Sequence, residues 1–72
     1  MPNERQPAGY YEYRALAAES SHDWEDAGEE WGYASLQALG ERRERMEARS
    51  RRCFEKAGIE KAKEITAPTV TH

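Results

Sequence analysis

Cysteine is almost absent from this sequence, which limits what can hold the fold together. Cys53 is the only cysteine among the 72 residues, so neither an internal disulfide nor a zinc site of several thiolates can form. A single free thiol is typical of a reducing compartment, and we therefore expect a cytoplasmic protein. Next to Phe54, this cysteine is expected to be a small buried apolar residue rather than a sensor thiol.

Long apolar runs are missing as well. The first seven residues, Met1–Pro7, contain no apolar stretch, so we expect no signal peptide. Apolar runs elsewhere are a few residues long, far short of the roughly 20 needed to cross a bilayer. The mean hydropathy of −1.10 agrees with this pattern. We expect one small domain that does not enter a membrane.

Groups that carry catalysis are scarce. His22 and His72 are the only imidazoles. His22 precedes Asp23, as a general base held by a carboxylate would, but no nucleophile accompanies it, and we interpret it as a solvated turn residue. The sequence has no glycine-rich phosphate loop and no metal-ligand spacing. We therefore expect no enzyme, no cofactor and no metal, but a protein that acts by binding.

Charge is unevenly distributed along the chain. The net charge is −3, but residues 1–40 hold eight acidic against two basic side chains. Residues 41–57 reverse this balance, with seven basic against four acidic side chains. Such a division indicates an electrostatically directed contact.

The residues that are present predict helices and no strands. Apolar residues recur at helical spacing in three segments, and Asp23 and Gly40 are typical residues for the beginning and the end of the second. Gly58 is the predicted end of the third helix. We predict an all-α, small three-helix domain: an antiparallel helical hairpin followed by an arginine-rich third helix, with disordered termini. The predicted helices are 10–20, 24–39 and 41–57, within a lead-in of 1–9, a domain of 10–58 and a weak helix with a disordered tail over 59–72.

The second predicted helix has the strongest pattern. Large and small side chains alternate on one face, and each indole removes about 150–250 Å² from water when it is buried. The small residues Ala27, Gly28 and Ala34 leave room for a neighbouring helix to approach. The residues that we predict to form the structural core are Trp24, Ala27, Trp31, Ala34 and Phe54.

The same residues carry two resemblances. The spacing of Trp24, Ala27, Trp31 and Ala34 is similar to the second half of a tetratricopeptide-type helical hairpin, although only one such unit fits. Over about residues 10–54 the chain resembles the ANR family of small transcriptional regulators from enteric bacteria, their plasmids and phages. The matching residues are Tyr10, Tyr11, Ala15, Ala17, Ala18, Glu19, Trp24, Ala27, Trp31, Ala34, Arg49 and Cys53. This resemblance implies a regulator that binds AraC-type transcription activators, or a nucleoid protein, by direct contact.

The surface between the core residues supplies the candidate protein interface. Three tyrosines near the start of the first helix point in different directions, so a small core leaves at least one exposed. Acidic side chains of the second helix form a candidate patch for a basic partner, and arginines of the third helix a candidate patch for carboxylates. The candidate interface residues are Tyr10, Tyr11, Glu25, Glu29, Arg42, Arg45, Arg49 and Arg52.

Several alternatives remain open on the sequence alone. The arginines of 41–57 are also compatible with direct DNA binding, although acidic residues interrupt them and no helix-turn-helix signature is present. An inhibitor of phage type, whose acidic surface mimics nucleic acid, is a further alternative. A homodimer is also open, because a small core leaves aromatic surface to cover. The sign of the regulation is not predicted.

Overall fold

A computed structural model describes the backbone of residues 6–70 and the side chains of residues 6–62. It contains three helices, α1 (Ala8–Ser20), α2 (Trp24–Leu36) and α3 (Gly40–Val70), and no strand within the described chain. The predicted all-α, three-helix fold is therefore confirmed. Residues 1–5 and 71–72 lie outside the described residues. They include part of the termini that we predict to be disordered. The first helix begins two residues earlier than predicted, at Ala8, whose side chain is buried.

The turn between α1 and α2 is closed by backbone hydrogen bonds. His22 has a positive φ of 59°, the left-handed conformation that usually favours glycine. The amide of His22 donates to the carbonyl of Glu19, and the amide of Asp23 donates to that of Ala18. These two bonds form a Schellman motif, which satisfies the last carbonyls of α1. Asp23 occupies the predicted N-cap position of α2, but its side chain makes no cap hydrogen bond.

The second helix ends earlier than its sequence period indicates. We predicted that it runs to Leu39, but it ends at Leu36, and Ala38 and Leu39 form the connection to α3. Ala38 is still buried, so its place in the apolar period reports that its side chain packs in the core and does not report a helical conformation. Gly40 has a φ of +62° and begins α3 instead of ending α2.

The third helix is much longer than predicted. The predicted stop at Gly58 is wrong, because α3 continues through it and stays helical to Val70. Glycine within a helix costs only about 1 kcal/mol relative to alanine, which is too little by itself to end a long helix. The backbone of 59–70, which we predicted as a weak helix and a disordered tail, belongs to this helix.

The core consists mainly of small residues around one indole. Trp31 and the alanines predicted to face inwards are buried, whereas Trp24 is half-buried and packs against the edge of the core. Phe54 is 44% exposed, so its assignment to the buried core is wrong. Its ring nevertheless covers Gly28, where an added Cβ would lie 3.0 Å from three ring carbons. The buried core residues are Ala8, Ala15, Ala18, Ala27, Trp31, Ala34, Ala38, Met46 and Cys53.

The central element is α2, which packs against both other helices. In the described chain, α1 and α3 bring no Cα atoms within 8 Å of each other. The backbone of α3 therefore lies close to that of α2, and only side chains connect α3 to α1 in this part of the chain. A helix of 31 residues is about 46 Å long, whereas α1 and α2 of 13 residues each are about 20 Å long. Because α3 lies beside α2, one groove runs between α1 and α3 and another between α2 and α3.

Candidate functional site

Glu19 connects all three helices at the floor of the α1–α3 groove. One of its oxygens, Oε2, accepts hydrogen bonds from Nε1 of Trp31 at 2.6 Å and from Nε of Arg49 at 3.0 Å. The other, Oε1, accepts from Nη2 of Arg49 at 2.9 Å. The thiol of Cys53 donates to Oε2 at 3.4 Å. Because Arg49 binds both oxygens in a fork, α1 is joined to α3 although their backbones stay apart.

These contacts shift the pKa of two groups in opposite directions. The hydrogen bonds from Arg49 are the largest cause that lowers the pKa of Glu19 to about 2, and burial opposes them. Burial is the main cause that raises the pKa of Cys53 to about 11, and the bond to Glu19 adds to it. The thiol is therefore protonated and unreactive at neutral pH, in agreement with its predicted role as a buried apolar residue.

A row of cations runs along the side of α3 that faces this groove. We call it the basic stripe, and its spacing of three or four residues keeps it on one helix face. Arg42 reaches Oε1 of Glu12 at 3.3 Å, while Arg45 lies 3.7 Å from Glu41 of its own helix. The stripe consists of Arg42, Arg45, Arg49, Arg52 and Lys56.

The α1–α3 groove holds two cavities along the stripe. Their volumes are about 250 and 240 Å³, and the side chain of Arg49 lines both. Trp31 and Met46 also line the first cavity, and Trp24 and Cys53 the second. Aromatic faces lie beneath the cations, since the Arg49 guanidinium is 5.2 Å from the Trp31 ring and the Lys56 ammonium 4.3 Å from the Trp24 ring.

The α2–α3 groove is apolar and lies on the other side of α3. It is shallow and open to solvent, with a volume of about 380 Å³, and its floor is formed by Gly28, Gly32 and Ser50. The hydroxyl of Ser50 donates to the carbonyl of Gly28 at 2.7 Å, which holds the two backbones close together. Its exposed walls are Tyr33, Leu36, Phe54 and Glu29.

The predicted acidic patch borders this apolar groove. Glu29 lines the groove, and Glu25 follows the same stripe of α2 one turn earlier. Both side chains are exposed, and Glu25 lies 3.2 Å from the ammonium of Lys61 on α3. The edge of α2 therefore combines exposed carboxylates with exposed apolar side chains.

The two tyrosines predicted at an interface form an aromatic cluster with a third. Tyr10 is 43% exposed, and its ring meets that of Tyr11 edge-on at 5.3 Å. The half-buried Tyr11 ring lies 5.7 Å from the ring of Tyr33 on α2. Nearby, Arg14 contacts the Tyr10 ring, and its Nε lies 3.2 Å from Oε1 of the buried Glu30. The two form an ion pair, although among the described residues this oxygen accepts no hydrogen bond of good geometry.

The predicted interface residues thus separate into three groups. Tyr10 and Tyr11 belong to the aromatic cluster, Glu25 and Glu29 to the edge of the α2–α3 groove, and the four arginines to the basic stripe. Sequence reasoning missed Glu19 as the central acceptor, because its partners lie 12, 30 and 34 residues away along the chain. Sequence reasoning also missed Tyr33 and Leu36 as groove residues. The sequence offers one indication of their exposure, because both are large apolar residues that lie off the buried stripe of α2.

Three further observations concern His22, groups that could hold a metal ion, and helices that could span a membrane. His22 is exposed and stacks on Trp24 at 5.7 Å, as a turn residue rather than part of a dyad. Across the described residues, no group of three or more histidine, cysteine, aspartate or glutamate side chains is placed to hold a metal ion. No helix in that part of the chain is both long and apolar enough to cross a membrane.

Comparison with family models, with curated proteins and with solved structures finds no match for this chain. The resemblance of residues 10–54 to the ANR family therefore stays a prediction from the sequence pattern.

Proposed function

We propose that this chain is a small cytoplasmic regulator that acts without catalysis by binding another protein, and that its target is a transcription activator of the AraC type. The observation that carries the proposal is the α2–α3 groove with its exposed walls Tyr33, Leu36 and Phe54. Exposed aromatic and aliphatic side chains beside a floor of small residues are typical of grooves that receive a partner segment.

The border of the groove indicates which segment fits. Glu29 and Glu25 lie along the same stripe of α2 as the apolar wall, so an apolar segment flanked by basic residues complements both. A DNA-binding domain carries such basic residues next to an apolar core. The choice of an AraC-type activator of bacterial or phage context is supported by the ANR resemblance, and a nucleoid protein is the other target that the resemblance implies.

The experiment uses two leucines as a matched pair. Leu36 lies in the groove wall and is 58% exposed, whereas Leu39 is 83% exposed and lies outside the groove. Binding of the purified chain to a purified AraC-type activator is measured by isothermal titration calorimetry. We expect Leu36→Glu to weaken binding at least ten-fold and Leu39→Glu to change it less than two-fold, because only the first charge enters the contact.

Equal effects of the two substitutions, or no binding of the unsubstituted chain, would count against the proposal. If the chain bound a nucleoid protein with the same dependence on Leu36, the α2–α3 groove would remain the binding site, but the target would be the nucleoid protein and not the activator. Sedimentation at increasing concentration would show whether a second copy occupies the groove instead.

Direct DNA binding is the second candidate, because five cations share one face of α3. A mobility shift on duplex DNA over a salt series tests it. Affinity that falls steeply with salt would favour DNA, and absence of binding at low salt would dismiss it.

A further inference from the structure

We propose that the α1–α3 groove binds an acidic peptide segment of a partner protein, whose carboxylates are held by the basic stripe. This site lies on the opposite side of α3 from the α2–α3 groove and does not depend on the function proposed for that groove. The proposal is carried by the unmatched charge of the stripe, by its length, and by the two carboxylates on the α1 side of the groove.

The first argument is unmatched positive charge. Within the described chain, neither Arg52 nor Lys56 has a carboxylate within 4 Å, although both line the groove. Arg45 is held only by Glu41, at 3.7 Å, and both of these side chains are more than 70% exposed. An exposed pair of this kind contributes little to stability, so Arg45 can exchange its partner readily. Three cations of the stripe are therefore ready to receive carboxylates.

The second argument is shape. The stripe from Arg42 to Lys56 covers 14 helical steps, or about 21 Å. An extended segment of about six residues has the same length at roughly 3.3 Å per residue. Alternate side chains of an extended segment point to opposite sides. Carboxylates can therefore face α3 while the intervening uncharged side chains face α1 across the groove.

The third argument separates a peptide from a nucleic acid. Glu12 and Glu19 stand on the α1 side of the groove, and each is already neutralised by one arginine of the stripe, at 3.3 and 2.9 Å. A peptide can turn its uncharged side chains towards these carboxylates. A duplex carries a charge at every nucleotide of both strands, so phosphates that reach the stripe also approach these two carboxylates, which disfavours duplex DNA.

The experiment uses two adjacent arginines. Arg52 lines the groove, whereas Arg51 is an exposed arginine that does not line it. The probe is a fluorescein-labelled decapeptide in which glutamate alternates with alanine or leucine, and binding is followed by fluorescence anisotropy at low salt. We expect Arg52→Glu to weaken binding at least ten-fold and Arg51→Glu less than three-fold, because both change the net charge equally and only one removes a contact.

A second readout locates the probe. Trp24 and Trp31 are the only tryptophans in the sequence, and both line the groove. Binding of the unlabelled peptide should therefore change the intrinsic tryptophan emission. Circular dichroism melts of both variants check that each is folded. If Arg52→Glu melts early, Arg52→Gln and Arg51→Gln replace the pair, with an expected loss of about three-fold for the first only.

Three results would overturn the proposal. Equal losses for the two arginine variants would show attraction by net charge alone. Peptide binding without any change in tryptophan emission would place the peptide on another surface. Single-stranded or duplex DNA that displaces the peptide and binds more tightly than it does would assign the stripe to nucleic acid.

Discussion

The two sides of α3 meet their neighbours in different ways. Towards α2, Ser50 donates to the backbone of Gly28 at 2.7 Å, and the Phe54 ring lies directly on that glycine. Towards α1, the backbones stay more than 8 Å apart between Cα atoms, and only long side chains span the gap, with Arg49 and Glu19 at its centre. Small residues produce a tight apolar contact, whereas long charged residues keep helices apart and leave a polar groove.

The largest effect on the free energy of unfolding is expected at Trp31, which contributes both to the apolar core and to the polar contacts between α1 and α3. Trp31 is 5% exposed, packs in the core and donates to Glu19. Trp31→Ala should lower the free energy of unfolding by about 3–5 kcal/mol, enough to unfold so small a domain. Thermal denaturation followed by circular dichroism measures this. A cooperative melt like that of the unsubstituted chain would remove Trp31 from the core.

The next effect concerns the polar side of α3 and depends on pH. The pKa of Glu19 is about 2 in the folded protein, below its ordinary value of 4.5. Because the unfolded chain binds this proton more tightly, the stabilisation is present above pH 4.5 and is lost as the pH falls towards 2. The full shift corresponds to roughly 3 kcal/mol, and we expect about 2, because solvent screens the half-exposed Arg49.

Glu19→Gln is the control for this pH dependence. The variant should lose about 2 kcal/mol less than the unsubstituted chain between pH 5 and pH 2, as measured by urea denaturation at each pH. Parallel pH curves for the two proteins would show that Glu19 is not the group responsible.

The apolar side of α3 can be tested with two glycines of α2. At Gly32 an added Cβ would lie 3.7 Å from Oγ of Ser50, so Gly32→Ala should raise the free energy of unfolding by up to about 1 kcal/mol through helix propensity. At Gly28 the added Cβ would meet the Phe54 ring at 3.0 Å. Gly28→Ala should therefore be less stable than Gly32→Ala by about 1 kcal/mol or more. Equal stabilities in urea would contradict the close approach of α3 to α2.

The smallest effect is expected at the outer end of the α1–α3 gap. Arg42 and Glu12 are 51% and 39% exposed and 3.3 Å apart. Arg42→Gln should change the free energy of unfolding by less than about 0.5 kcal/mol in the same urea experiment. A loss above 1 kcal/mol would mean that this surface ion pair also holds α1 against α3.

The helices and most of the core could be predicted from the sequence, since apolar residues that repeat at helical spacing report which face is buried. The ends of α2 and α3 could not. Ala38 continues the apolar period although the helix has already ended at Leu36, because a core position is filled equally well from a loop. Local preference predicts a stop at Gly58, but this preference is too weak to end a long helix.

The candidate sites were predictable only in part. Arginines at 42, 45, 49 and 52 share a helix face, which the spacing alone reveals. Whether an acid from α1 faces them depends on how α1 and α3 are placed around α2, and no spacing within either helix encodes that. Phe54 shows that an apolar stripe can also overpredict burial. Its ring lies on the apolar stripe of α3, but it covers Gly28 from the solvent side instead of entering the core.

The most direct test of the difference between the two sides of α3 is a pair of double-mutant cycles in the free energy of unfolding. One cycle combines Glu19→Gln with Arg49→Gln, and the other combines Glu12→Gln with Arg42→Gln. We predict a coupling above about 1 kcal/mol for Glu19–Arg49, where the carboxylate is only 16% exposed, and below about 0.5 kcal/mol for Glu12–Arg42. Equal couplings, or a Glu19–Arg49 coupling near zero, would contradict the conclusion that Glu19 joins α1 to α3.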